Sequence, residues 1–141
     1  MHEIEQTKRI KGGCFKRMNL EIQLERNIHF SNPTPIQRKT LPLVLEGRSL
    51  IGIARTGSGK TLCYLLPAIQ FAVRNKSTLI LVPTKELAYQ IRKQLKIYRY
   101  KIEFSGRILI TTPNDRVDLD QFDMLVVVEF DRILEEESLR K

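Results

Sequence analysis

An α/β fold, a parallel sheet with helices on both faces, is the architecture that this 141-residue sequence predicts. Three observations predict it. Short β-branched or leucine-rich runs alternate with stretches of helical periodicity. A glycine-rich turn joins the first of those runs to a helix, and the last run, Met124 to Val128, is continuously apolar, like strands covered on both faces. The length suits one domain with its own core.

Taken in order, Asn19 to Arg26 reads as a short helix, after a basic tail over residues 1–12. Thr34 to Leu45 reads as a longer helix with Ile36, Leu41 and Val44 along one side, and Gly47 suits its end. Ser49 to Ala54 is β-like, and a helix is expected from Lys60 to about Arg74. Thr78 to Val82 is the second strand. Pro83 breaks it, and Leu87, Ile91 and Leu95 then recur every four residues on an amphipathic helix. Arg107 to Thr111 and Met124 to Val128 complete four strands, and a charged helical tail follows. Ligands of such folds bind beyond the carboxyl ends of the strands. Thr56 to Lys60, Pro83 to Lys85, Thr112 to Asp115 and Glu129 to Asp131 fall at those ends.

Composition narrows the function classes. No apolar run approaches the ~20 residues of a membrane span, and Met1 to Gly13 lacks the apolar block of a secretory signal, so an intracellular protein without a membrane partner is expected. Cys14 and Cys63 have neither metal-binding nor redox spacing and read as free thiols. The net charge of +8 is uneven: residues 48–107 hold twelve Lys or Arg against two acids, and residues 108–141 hold four against nine. A basic middle attracts polyanions, though charge alone names no partner.

Ala54-Arg55-Thr56-Gly57-Ser58-Gly59-Lys60-Thr61 has the form of a phosphate-binding loop, with alanine where the strict pattern opens on glycine. Gly57 and Gly59 let consecutive N–H groups turn onto phosphate oxygens at a helix start. Lys60 is placed to reach the terminal phosphates, and the Thr61 hydroxyl to take a place on Mg²⁺. Upstream, Pro33-Thr34-Pro35-Ile36-Gln37 has two readings. One is a capping box, with Thr34 as cap and Gln37 as its partner. The other is adenine recognition, because a glutamine amide can donate and accept at a base edge and the Phe15 ring can stack on its face.

These segments resemble the first half of the DEAD-box ATP-dependent RNA helicases. Phe15 with Pro33 to Gln37 resembles that family's adenine-reading Q motif, and Ala54 to Thr61 resembles its alanine-led phosphate loop. Pro83-Thr84-Lys85-Glu86-Leu87-Ala88 is similar to the PTRELA element, and Thr112-Pro113 with Arg116 to the TPGR element. The resemblance covers Gly13 to Asp131 and implies a partial N-terminal RecA-like domain over 13–141, with ATP and Mg²⁺ as cofactors. It further implies that Thr84, Lys85, Thr112 and Arg116 touch the backbone of single-stranded RNA, although a helix cap also accounts for Thr84. Arg92, Lys93, Lys96, Arg99 and Lys101, interleaved with Tyr98 and Tyr100, read either as an extension of that basic track or as a solvated helix face.

The sequence also departs from the family. Its name-giving motif falls on Val128-Glu129-Phe130-Asp131, so valine stands where the family has a metal-holding aspartate. Glu129, the residue that orients the attacking water, is retained, and only Glu129 shifting onto the metal could replace the lost ligand. Asp123, five residues back, is about 16 Å away along a strand. The stretch between the Pro83 and Thr112 elements is short, with Ser105-Gly106 as a remnant of the family's double glycine. The resemblance stops before the SAT element and the second RecA-like domain, so unwinding is expected to need a second helicase domain. Gly12 to Phe15, Met18 to Leu20 and Pro33 to Thr40 look most like the helicases of nucleolar large-subunit assembly, which implies ribosome biogenesis, assembly partners and a nuclear or otherwise cytoplasmic location. The competing readings are a catalytically inactive nucleotide-, RNA- or protein-binding module and a decayed reading frame.

Overall fold

The structure, a computed structural model, describes residues 20, 22–28, 32–49 and 59–129. The chain divides into two compact units, Met1–Gln70 and Phe71–Lys141. In the first, helix α1 spans Ile22–Arg26, starting later than expected, and α2 spans Pro35–Leu45. Thr34 caps α2 through a full capping box: its hydroxyl accepts the Gln37 N–H at 3.5 Å and its own N–H donates to Gln37 Oε1 at 2.9 Å. The helix ends where Gly47 takes a φ of +84°. There Arg48 N–H reaches Leu43 O at 3.0 Å and Gly47 N–H reaches Val44 O at 2.9 Å, the paired bonds of a left-handed helix stop. Leu24, Leu41, Leu65, Leu66 and Ile69 are fully buried.

Helix α3, Lys60–Val73, runs across the division between the units. Asn75, at a φ of +62°, closes it with the same pair of bonds, Lys76 N–H to Phe71 O at 2.8 Å and Asn75 N–H to Ala72 O at 3.0 Å. Asparagine tolerates that conformation better than most side chains.

The second unit holds a parallel sheet of β1 (Thr78–Leu81), β2 (Ile108–Thr111) and β3 (Met124–Val127) in the order β2-β1-β3. Thr78 pairs with both Ile108 and Met124, and Leu81 with both Thr111 and Val127, so the three strands end level. Ser77 fastens their amino ends, accepting the Arg107 N–H on Oγ at 3.1 Å and donating its own N–H to Asp123 Oδ2 at 2.8 Å. Asp123 therefore sits at the opposite end of β3 from Glu129, as the strand arithmetic requires. Helix α4 (Lys85–Arg99) connects β1 to β2 and packs against β2. Its Ala88, Ile91, Leu95 and Tyr98 are buried, and Ile91 and Leu95 each contribute about 1.5–3 kcal/mol relative to an exposed position.

One expectation fails. The Met124 to Val128 run is not covered on both faces: Leu125 and Val127 remain 50% and 37% exposed. The two alternate with half-buried Met124 and Val126, so they share one face of the strand, and that face is the less covered one. The proposed strand from Ser49 to Ala54, apart from Ser49, lies outside the described residues, as do the tail over residues 1–12 and the helix after Asp131.

Candidate functional site

In the first unit the loop ends at Gly59, whose φ of +84° is closed to most side chains. A Cβ there would lie 2.5 Å from Gln37 Nε2 and 3.0 Å from Thr34, so glycine is required by both conformation and space. Gln37 is only 3% exposed, and beyond the capping box it donates Nε2–H to Gly59 O at 2.9 Å. One side chain thus joins the start of α2 to the end of the loop across 22 residues. An amide has two N–H donors and a carbonyl with two lone pairs, so each end keeps one bonding position.

Lys60 and Thr61 open α3 and are half-buried. The first N–H groups of a helix have no partner within it and carry its positive dipole end, which together with Lys60 fits a phosphate group. The Thr61 hydroxyl is an oxygen of the hard kind that Mg²⁺ takes. Cys63, one turn on, is free, and its Sγ–H donates to Gly59 O at 3.7 Å. Burial pushes its thiol pKa up, partly offset by a hydrogen bond with the Thr40 side chain and by backbone hydrogen bonding, so it stays protonated and unreactive at neutral pH. Phe15 and Ala54, Arg55, Thr56, Gly57 and Ser58 lie outside the described residues.

In the second unit the level strand ends bring the remaining candidates to one end of the sheet. After β1, Thr84 caps α4 by accepting the Leu87 N–H at 3.1 Å, and Lys85 beside it is exposed. After β2, Thr112 is 5% exposed with a hydroxyl that has no hydrogen-bond partner among the described residues. Such a buried, unsatisfied hydroxyl is uncommon and costly, and Thr78 at the amino end of β1 carries another. Arg116 follows on an exposed turn in which Asp115 N–H meets Thr112 O at 3.2 Å and Asp115 Oδ2 accepts the Thr111 hydroxyl. Asp115 as the pin of that turn was not foreseen. Its spacing from Thr111 is the signal that could have found it.

After β3, Val128 N–H bonds Leu81 O at 2.9 Å and extends the ladder by one residue. Glu129 is exposed at a φ of +52°, a conformation that costs a non-glycine residue about 1–3 kcal/mol and recurs at functional positions. Among the described residues no three His, Cys, Asp or Glu cluster as a metal site.

The proposed basic track on α4 divides on inspection. Tyr98 is buried and leaves it, its hydroxyl pKa raised by that burial. Arg92 Nη2 donates to Ile110 O at 2.5 Å. Because Arg107 O and Thr111 O face β1, strand alternation turns Ile110 O to the other side, where, among the described residues, β2 has no strand partner and Arg92 covers the carbonyl. Arg99 lies over the Phe104 ring at 5.2 Å.

A family model described as DEAD/DEAH box helicase matches residues 34–107. The chain is similar to the ATP-dependent RNA helicase DBP10 of Candida albicans, 42% identical over 113 residues that cover 73% of this chain and 12% of that protein. It is similar in structure to a DEAD box protein from Methanococcus jannaschii (TM-score 0.77, 26% identity, 90% of this chain, 44% of that one). The RNA helicase Prp28 from Chaetomium thermophilum bound to ADP also matches (TM-score 0.73, 26% identity, 87% of this chain, 40% of that one). The chain spans about an eighth of the length of the curated relatives it matches. No helix among the described residues is long and apolar enough to cross a membrane. With more than half of its residues inside the family match and a RecA-like sheet, the chain belongs to the DEAD/DEAH box helicases.

Proposed function

We propose that this chain is the ATP-binding first domain of a DEAD-box RNA helicase. Phe15 and Gln37 take the adenine, the loop from Ala54 to Gly59 with Lys60 takes the phosphates, and Thr61 with Glu129 serves Mg²⁺. Thr84, Lys85, Thr112 and Arg116 take the sugar-phosphate backbone of single-stranded RNA. The bond from Gln37 Nε2 to Gly59 O carries this reading, since it ties the adenine-reading segment directly to the phosphate loop. Mg²⁺, when bound, neutralises charge on the terminal phosphates. Lys60 adds a cation there, and Gln37 holds the loop end in register. The resemblance of Pro33 to Thr40 to nucleolar helicases supports work in ribosome assembly, with assembly partners, a second helicase domain and a nuclear location. Val128 favours a second reading beside it, a domain that holds nucleotide without turning it over.

Isothermal titration tests the nucleotide site. ATP and ADP are expected to bind weakly but measurably and better than GTP, and Gln37→Ala should weaken ATP more than GTP. Absence of heat with millimolar ATP and ADP would remove the nucleotide site from this chain.

A further inference from the structure

The outer face of α4 carries a second feature that the helicase motifs leave unused. Tyr89, Lys93, Lys96 and Tyr100 follow one another at steps of four, three and four residues, which keeps all four within about 60° on a 3.6-residue helix. The buried residues Ala88, Ile91, Leu95 and Tyr98 occupy the opposite side. Tyr89 is 61% and Tyr100 80% exposed, and the Lys93 Nζ lies 5.7 Å from the centre of the Tyr89 ring. The helix carries five Lys or Arg and a single acid, Glu86 in its first turn. Lys85 begins the same stripe, one turn before Tyr89.

Two exposed rings bracket two lysines here, and the charge of the stripe is complementary to a phosphate backbone. Tyr89 and Tyr100 are about 16 Å apart along the helix at 1.5 Å per residue. Stacked nucleotides advance about 3.4 Å each, so the interval accommodates at most about five of them. Aromatic platforms alternating with cations are how proteins hold single strands without reading their sequence. We infer that Tyr89, Lys93, Lys96 and Tyr100 form a docking stripe for single-stranded nucleic acid, with bases stacked on the two rings and phosphates on the two lysines. The inference rests on the reading of this chain as RNA-binding and extends its contact from Lys85 along α4.

The test is fluorescence anisotropy of the full chain with a labelled twelve-nucleotide oligo-U, a duplex of equal length and a polyglutamate peptide, at several salt concentrations. Tyr89→Ala with Tyr100→Ala should weaken single-strand binding about tenfold or more, because stacking on an aromatic is worth that much per base, and should leave duplex binding unchanged. Lys93→Ala with Lys96→Ala should flatten the log–log salt slope by about 1.4, two contacts at about 0.7 each. All four side chains face outward, so melting temperature and ATP affinity should not change, which separates this result from misfolding. Wild-type affinity in the tyrosine variant would overturn the stripe, as would polyglutamate binding as tightly as oligo-U. A loss confined to a Lys85→Ala, Arg116→Ala variant would overturn it while upholding the motif site. A loss confined to the stripe variants would uphold the stripe and fail the motif site. No binding of any single strand by the wild type would also overturn it, while the ATP titration still decides the nucleotide site.

Discussion

Gly106→Ala is expected to destabilise the chain by about 3 kcal/mol, or roughly 10 °C in melting temperature. A Cβ at this position would lie 2.1 Å from Lys76 O and 2.6 Å from the Ala72 Cα, and both obstacles are backbone. No rotamer change relieves that overlap. The loop must instead lift off the end of α3, breaking the 2.9 Å bond from Gly106 N–H to Ala72 O and displacing the residue pair that leads into β2. Urea or thermal unfolding measures the change. A shift within about 0.5 kcal/mol, the range of an ordinary surface substitution, would contradict the close approach.

Phosphate release from ATP is expected at background level, with or without RNA. Phosphoryl transfer needs positioned charge on the terminal phosphates, and metal coordination commonly contributes several kcal/mol of it. Val128 offers only methyl groups where the resemblance puts a coordinating carboxylate, and Asp123 cannot replace it, because it is committed to Ser77 at the far end of β3. Each 1.36 kcal/mol is tenfold in rate, so the loss corresponds to a hundredfold or more. Val128→Asp should restore Mg²⁺-dependent strengthening of ADP binding, read by titration with and without the metal. Sustained phosphate release by the unmodified chain, abolished by Lys60→Ala, would show that Glu129 holds the metal well enough for turnover without that aspartate.

Much of this architecture was legible because it is local. Thr34 and Gln37 announce the start of α2, Gly47 its end, and the four-residue recurrence of Leu87, Ile91 and Leu95 sets the buried side of α4. The three described strands fall within a residue of expectation, because β-branched runs bounded by Pro83, Pro113 and Asp123 have little room to slide. What escaped was long-range. Periodicity cannot say that β1 lies between β2 and β3, nor that Leu125 and Val127 stay exposed. Nor does any local pattern link Gln37 to Gly59, Gly106 to Ala72, or Arg92 to the Ile110 carbonyl.

The candidate site was read in a different way, through residue types rather than contacts. Gln37 was read either as a cap or as an adenine reader. The cap is present, and the same side chain also bonds the Gly59 carbonyl, so the structural role does not exclude the chemical one. Thr84 likewise caps α4 while standing next to exposed Lys85. The seven residues of the basic track could not be sorted by spacing alone, since Arg92 and Tyr98 turn inward to tasks set by the neighbouring strand and core.

The affinity of Lys60→Ala for ATP, set against that of the unmodified chain by titration, tests the central claim most directly. A charge-assisted bond to phosphate is worth about 1.5–3 kcal/mol, so the dissociation constant should rise about tenfold to a hundredfold with the fold unchanged. Equal affinity for ATP in the two proteins would mean that the nucleotide does not lie on the loop that Lys60 closes.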